Sequence, residues 1–215
     1  MKKYTVTFLL DKKNNWISNF IDFRFFKSNQ KYSFKISTRI KHIKNQDIVF
    51  PINFTKILPE SFLKKNKLTL IVHSSDLPKD KGFAPMSNQI LKGKNHIFFS
   101  LIKAHKKVDS GGICFKTKIN LDGTELYEEL RKKQALEINR IIKKFLKIYP
   151  KVTFKKQKGR GSYNKKRGII DSKIDIEKSI KSQFNLLRVC DNENFPSYFY
   201  YKKKKYILKI SKERK

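Results

Sequence analysis

The stretch LTLIV, Leu68 to Val72, followed by HSSDLPKDKG, His73 to Gly82, is the passage on which the fold turns. Five uncharged residues, in a chain that is 32% charged, read as a central parallel strand covered on both faces. Immediately after Val72 the texture changes to Pro, Gly and polar residues, the composition of a loop. In open α/β sheets ligands settle in the crevice beyond the carboxyl ends of the strands. Position alone therefore makes His73 a candidate functional residue.

Working outward, Tyr4 to Leu10 reads as a buried strand broken by Asp11 to Asn15, and Trp16 to Phe26 as a short apolar-periodic helix. Lys31 to Ser37 alternates at period two. Ile48 to Phe54 is another apolar run, with Pro51 arguing against a long regular strand there. Pro59-Glu60 opens a helix through Lys65. Beyond the central passage, Met86 to Gly93 forms a short helix, and His96 to Leu121 makes two strands broken at Val108 to Gly112. Thr124 to Tyr149 is the strongest helical pattern, with Thr124 as N-cap, acidic residues in the first turn, and apolar positions at Leu126, Leu130, Ile138, Ile141, Ile142 and Phe145. Strands separated by helices predict an open α/β sheet. Residues 1–150 form that unit. Residues 151–215 supply an extension: the basic linker KKQKGRGSYNKKRG, a helix near Ile176 to Val189 with Asp175 as its cap, and an aromatic hairpin, Ser197 to Tyr201 and Tyr206 to Ile210, turning at Lys202 to Lys205.

With 215 residues the chain is long enough for one well-buried domain plus an appendage. Two cysteines, Cys114 and Cys190, with no CxxC pair and no His/Cys cluster, argue against a disulfide framework and against a metal site. No stretch approaches the ~18 apolar residues of a membrane span, and the start MKKYTVTFLL lacks a small-residue cleavage site. A reduced, cytoplasmic protein without a membrane partner is expected. The formal charge of +33 suggests a polyanionic partner. However, 43 of the 51 basic residues are lysine and 8 are arginine, the residue favoured for bidentate phosphate and guanine recognition. Fifteen asparagines accompany them, a Lys- and Asn-heavy bias that an A/T-rich coding sequence produces by itself.

Phosphate-binding glycine motifs, GxSxG and HExxH are all absent from the sequence. His73 and Asp109 each sit in a Gly- or Pro-flanked loop at a strand end. A histidine and a carboxylate can form a pair in which the imidazole is oriented for proton transfer; the plainer alternative is a hydrogen-bonded structural histidine. His42, His96 and His105 lie in polar surroundings and read as solvated surface.

The stretch VHSSDLPKDKGFAPMSNQILKG (72–93), followed by KAHKKVDSGGICFKTKINL (103–121), resembles the formyltransferases that use 10-formyltetrahydrofolate. These act on glycinamide ribonucleotide, methionyl-tRNA or amino sugars. The marks are a strand ending in His, a "PSLLP"-like turn, a glycine, and a "VDxG" loop 36 residues after the His. The likeness covers roughly residues 48 to 134, and the tail from Ile170 resembles the segment that follows the catalytic domain in the tRNA and sugar branches. It implies an open, mostly parallel Rossmann-like sheet with a small C-terminal helix and β-hairpin. It also implies a 10-formyltetrahydrofolate co-substrate without a metal, and an acceptor amine. His73 then corresponds to the histidine that supports the tetrahedral oxyanion, and Asp109 to the carboxylate that orients it and helps remove the amine proton.

The family's third catalytic residue, an asparagine two positions before the histidine, is replaced here by Ile71. Asn53, at the end of the preceding strand, is the candidate substitute; its alternative is a turn residue. Phe54, Ile57 and Leu58 align with the apolar segment that contacts the pterin, and Lys106, Lys107 and Val108 with the loop whose backbone hydrogen-bonds it. Core packing is the competing assignment for the apolar members. DKKNNW, Asp11 to Trp16, resembles a "D-x-x-N-S-W" turn in bacterial sugar-pathway relatives, which makes Asn15 and Trp16 acceptor-binding candidates alongside Ser75, Lys79 and Gly82. Three readings compete. The first is a nucleotide-linked amino-sugar N-formyltransferase, expected because little chain follows Pro150 to build an RNA-binding barrel. The second is a methionyl-tRNA formyltransferase, favoured by the charge, and the third is a catalytically impaired folate- or anion-binding relative, motivated by Ile71. A monomer or homodimer is expected in each case.

Overall fold

The computed structural model describes residues 3–12, 16–21, 23–26 and 30–213. In chain order the elements are β1 (Tyr4–Leu10), β2 (Tyr32–Ser37), β3 (Ile48–Ile52), α1 (Glu60–Lys64), β4 (Leu70–His73), β5 (Lys81–Gly82) and α2 (Pro85–Leu91). They continue as β6 (His96–Lys103), β7 (Ile113–Asn120), α3 (Tyr127–Ile148), β8 (Tyr163–Asn164), α4 (Ile180–Val189), β9 (Ser197–Tyr201) and β10 (Lys204–Leu208). β1 pairs in parallel with β2 on one side and β3 on the other. A parallel bridge between Val49 and Thr69, with the Val49 N–H donating to the Leu68 carbonyl at 2.8 Å, joins β3 to β4. β6 and β7 follow antiparallel. The resulting order is β2-β1-β3-β4-β6-β7, an open sheet parallel at three of its five junctions. Among the described residues no helix is long and apolar enough to cross a membrane.

Alternation along the strands divides the core. Phe8, Phe50, Leu70, Phe99 and Leu101 lie in the main cluster with Ile138, Ile141, Ile142 and Phe145 of α3. The ring of Phe50 meets that of Phe145 edge-on at 5.9 Å. Leu9 and Val49 face the other way and pack with Ile43, Leu58 and Phe62 beneath α1.

Four local expectations are corrected. Trp16 to Phe26 is not one helix but two single 3₁₀ turns, Trp16–Asn19 and Phe23–Phe26. Ile17, Ile21 and Phe26 are all buried, and a continuous helix would turn Phe26 about 180° away from Ile17. β4 is flanked on one side by an antiparallel strand, and Ile71 and Val72 are only half-buried; its apolar run fixed neither strand direction nor full coverage. α3 starts three residues later than Thr124, because Glu129 reaches back to accept the Leu126 N–H at 2.8 Å, while Thr124 turns onto Asp122. α4 begins at Ile180, capped by Ser179, whose hydroxyl accepts the Ser182 N–H; Asp175 instead closes the turn before it through the Glu177 N–H.

The extension is fastened by a buried ion pair. Arg188 of α4 is fully buried, its Nη1 3.7 Å from Glu125, and none of its guanidinium nitrogens has a hydrogen-bond partner. Burial pushes the Arg188 pKa down, against the pull of Glu125 and Asp122. Burial also opposes ionisation of Glu125, but Lys133 at 2.8 Å and the N–H groups of Asp122 and Gly123 outweigh it, and the carboxyl is held below its usual 4.5.

Glu125 therefore satisfies several partners and Arg188 one. Glu125→Ala should lower the unfolding free energy by about 3–5 kcal/mol, because it strands a buried cation, and Arg188→Met should cost less. Denaturant unfolding of the two variants checks this, and a larger loss for Arg188→Met would refute it. Because the folded carboxyl lies below its unfolded value, its contribution is complete above about pH 4.5 and is lost as pH falls through the folded value. The advantage of wild type over Glu125→Gln should shrink on acidification in that range.

Candidate active site

The carboxyl ends of β1, β3 and β4 lie along one edge of the sheet. The chain crosses from β2 over β1 to β3, so the topological switch lies between β1 and β3. Beyond β1, the buried Asp11 accepts the Thr55 hydroxyl at 2.6 Å and ties the loops that follow β1 and β3 together. Asn53 turns out of β3 at φ +50°, a conformation that asparagine tolerates well. The parallel Val49–Thr69 bridge sets β3 beside β4, and Asn53 is the first residue beyond the end of β3.

His73 ends β4 with 8% of its side chain exposed, and Asp109 has 9%. Between β6 and β7 the chain makes a loop closed by the Lys103 N–H on the Gly112 carbonyl at 2.9 Å. Gly111 passes so near β6 that a Cβ there would lie 1.6 Å from the Lys103 oxygen. That close approach, with Asp109 in the left-handed region at φ +49°, brings Asp109 Oδ1 to 3.5 Å from His73 Nδ1. This is an ion-pair contact rather than a fully formed hydrogen bond. Asp109 Oδ2 accepts the Gly82 N–H at 2.8 Å, and His73 Nε2 lies 2.9 Å from the Asp80 carbonyl. Both imidazole nitrogens thus face oxygens that accept hydrogen bonds. The Asp80 carboxylate is itself paired with Lys92, which leaves Asp109 as the negative charge facing the imidazole.

The other expected residues divide. Ser75 is fully buried and builds the turn, donating its hydroxyl to the Lys79 carbonyl at 2.8 Å and its N–H to the His73 carbonyl at 2.9 Å. Lys79 is exposed and contributes that carbonyl. Gly82 supports Asp109, and its φ of +87° and the adjoining Tyr163 and Asn164 leave no room for a side chain. Leu58 belongs to the core beneath α1, and Phe54 packs against it. Ile57 is 75% exposed and Val108 42%, with Lys106 and Lys107 also exposed. Trp16 packs on α3, its ring 4.5 Å from the Arg131 guanidinium, which links through Gln134 to Ser74 beside His73. Asn15 lies outside the described residues. A cavity of about 410 Å³ between the start of α3, residues 190–193 and residues 210–212 contains neither His73 nor Asp109.

Sequence reasoning missed Asp80, Gln157 and Ser162. Asp80 acts on His73 through its backbone carbonyl, which has no side-chain signature. Gln157 and Ser162 lie in the linker, where the cations and glycines gave the only pattern.

A formyl transferase family model matches residues 1–146. The chain is 33% identical over 125 residues to a methionyl-tRNA formyltransferase of Mycoplasmopsis pulmonis, an alignment covering 57% of this chain and 42% of that protein. It spans less than half the length of the curated relatives it matches. Among solved structures, a methionyl-tRNA formyltransferase from Clostridium thermocellum superposes with a TM-score of 0.80 at 19% identity, covering 98% of this chain and 94% of that one. A sugar N-formyltransferase from Shewanella gives 0.71 at 16%, covering 98% of each. HypX from Aquifex aeolicus, in complex with tetrahydrofolic acid, gives 0.72 at 16%, covering 95% and 37%. These likenesses share the fold on which His73 and Asp109 meet, and the family match spans both residues: the chain belongs to the formyl transferase family.

Proposed function

We propose that this protein moves a formyl group from 10-formyltetrahydrofolate to a primary amine, and that the amine is carried by a nucleotide-linked amino sugar. The observation that carries the reading is the buried His73–Asp109 pair, placed at the strand edge of a formyl transferase fold. The amine nitrogen attacks the formyl carbon, and the carbonyl oxygen becomes an oxyanion. A new C–N bond forms, the bond to N10 of the folate breaks, the amine loses a proton and N10 gains one. The Nε2–H of His73, which faces the Asp80 carbonyl in the free protein, is shared with the oxyanion, where hydrogen-bond donors act most strongly in a site shielded from water. Asp109 holds the ring and takes up the amine proton through water.

Asn53 stands in for the asparagine that Ile71 displaces. Neighbouring parallel strands lie about 4.8 Å apart, so an amide just beyond the end of β3 is within side-chain reach of the end of β4, where His73 sits. The exposed Ile57 and Val108 suit the apolar pterin, with the backbone of Lys106 and Lys107 alongside. A second reading, formylation of methionyl-tRNA, is favoured by the +33 charge and by the Mycoplasmopsis relative.

Asp109→Asn keeps an acceptor for the Gly82 N–H and tolerates the left-handed backbone. It should lower kcat by about 10²–10⁴ with folate Kd nearly unchanged, as read by single-turnover formyl transfer and folate titration. A large loss of folate affinity with kcat retained would make Asp109 a cofactor-positioning residue instead. If wild type and His73→Ala are equally inert across a panel of amines, the enzyme reading fails. Electrophoretic titration with initiator tRNA separates the acceptors: attraction by charge alone should collapse between 50 and 200 mM salt by a factor of about 10³ or more. Binding retained at physiological salt would favour the tRNA reading.

A further inference from the structure

We infer that the linker residues Gln157 and Ser162 are positioning residues for the His73–Asp109 pair, acting as a strap that fixes the two acceptors on either side of the imidazole. The inference rests on the formyl-transfer reading of the site.

The strap runs from Lys155 to Asn164. Its first end is anchored by reciprocal backbone bonds between Lys155 and Ile113, at 2.8 and 2.9 Å. Its far end is β8, which pairs in parallel with β5. Between them, Gln157 Nε2 donates to the carbonyls of both Asp109, at 2.8 Å, and Gly111, at 2.9 Å. One amide has two N–H groups, so each carbonyl receives its own hydrogen and the 109–110 and 111–112 peptide planes are fixed together. Gln157 Oε1 is buried without a partner, so the side chain is held in place through its nitrogen.

On the other side of the imidazole, the Ser162 hydroxyl accepts the Asp80 N–H at 2.8 Å, and the Ser162 carbonyl accepts the Lys81 N–H at 2.9 Å. Asp80 is the residue whose carbonyl faces His73 Nε2. Asp80 and Asp109 both have left-handed backbones, at φ +56° and +49°. Such conformations persist only where the surroundings over-determine them. The strap supplies that restraint to both residues at once, gripping the backbone of each residue whose oxygen faces the imidazole. The working unit therefore includes residues 155–164 and does not end at Pro150.

Misplacement of reacting groups by about 1 Å costs on the order of 10²-fold in rate. Gln157→Glu keeps the shape and turns two donors into acceptors facing two carbonyls. It should lower kcat by about 10- to 100-fold with the KM for 10-formyltetrahydrofolate within about twofold of wild type. Ser162→Ala should lower kcat in the same sense, and Ser162→Thr, which keeps the hydroxyl, should restore it. All are measured on the full chain alongside thermal melting and a His73→Ala control. Wild-type kcat in Gln157→Glu and Ser162→Ala, while His73→Ala is inactive, would overturn the strap and leave the formyl-transfer reading intact. So would a loss of kcat in Ser162→Ala that Ser162→Thr fails to restore. An inert wild type would overturn the formyl-transfer reading itself.

Discussion

His73 leaves β4 with both ring nitrogens facing oxygens that accept hydrogen bonds, and much of the surrounding chain is arranged to supply those oxygens. Neither comes from the strand that carries the histidine. Asp80 returns after a tight turn in which the Ser75 hydroxyl donates to the Lys79 carbonyl, and which β6 secures through the Ser100 hydroxyl on the Ser75 carbonyl at 2.7 Å. Asp109 arrives from the far side of β6, which requires the Gly111 backbone to touch the strand it has just left. Asp80, Gly82 and Asp109 all have positive φ. The imidazole is thus the meeting point of segments that are restrained from outside.

The large-scale fold was legible because its cause is apolar patterning. β1, β3 and α3 announce themselves by runs or stripes of Phe, Ile and Leu that have nowhere to go but the core, and the observed burial follows them. Strand direction was not legible in β4, since an apolar run states that a strand is covered and not which way its neighbour runs. The 36-residue spacing of His73 and Asp109 was readable through the family resemblance, and the two side chains do meet. The members that were not readable act through the main chain: the Asp80 carbonyl, the Asp109 and Gly111 carbonyls that Gln157 grips, and the Ser162 hydroxyl on a backbone N–H. Any residue type offers the same backbone atoms, so sequence composition is silent about them. Leu58 and Ser75 show the converse, residues with apt chemistry at the right edge that serve packing and turn geometry.

The charge takes on a different meaning once the ion pairs are in place. Acidic side chains at structurally exacting points are matched: Asp80 by Lys92, Glu125 by Lys133 and Arg188, Glu137 by Arg140. With 51 basic and 18 acidic residues, cations far outnumber acids, and most lysines among the described residues lie on exposed surface. Exposed lysines at this density repel one another and attract anions without regard to shape, an effect that salt screens over about 10 Å at 0.1 M. Specific recognition requires a rigid presentation that such side chains lack.

The linker is the exception to that diffuse charge. Lys156, Lys158, Arg160, Lys165 and Lys166 are exposed on or beside a segment whose backbone and polar side chains are bonded to the two loops around His73. Cations carried on an anchored backbone lose less freedom when they meet an anion than cations on a loose tail, so more of their attraction survives as net affinity. A phosphate-bearing acceptor engaging this strap would draw on the same segment that holds Asp80 and Asp109.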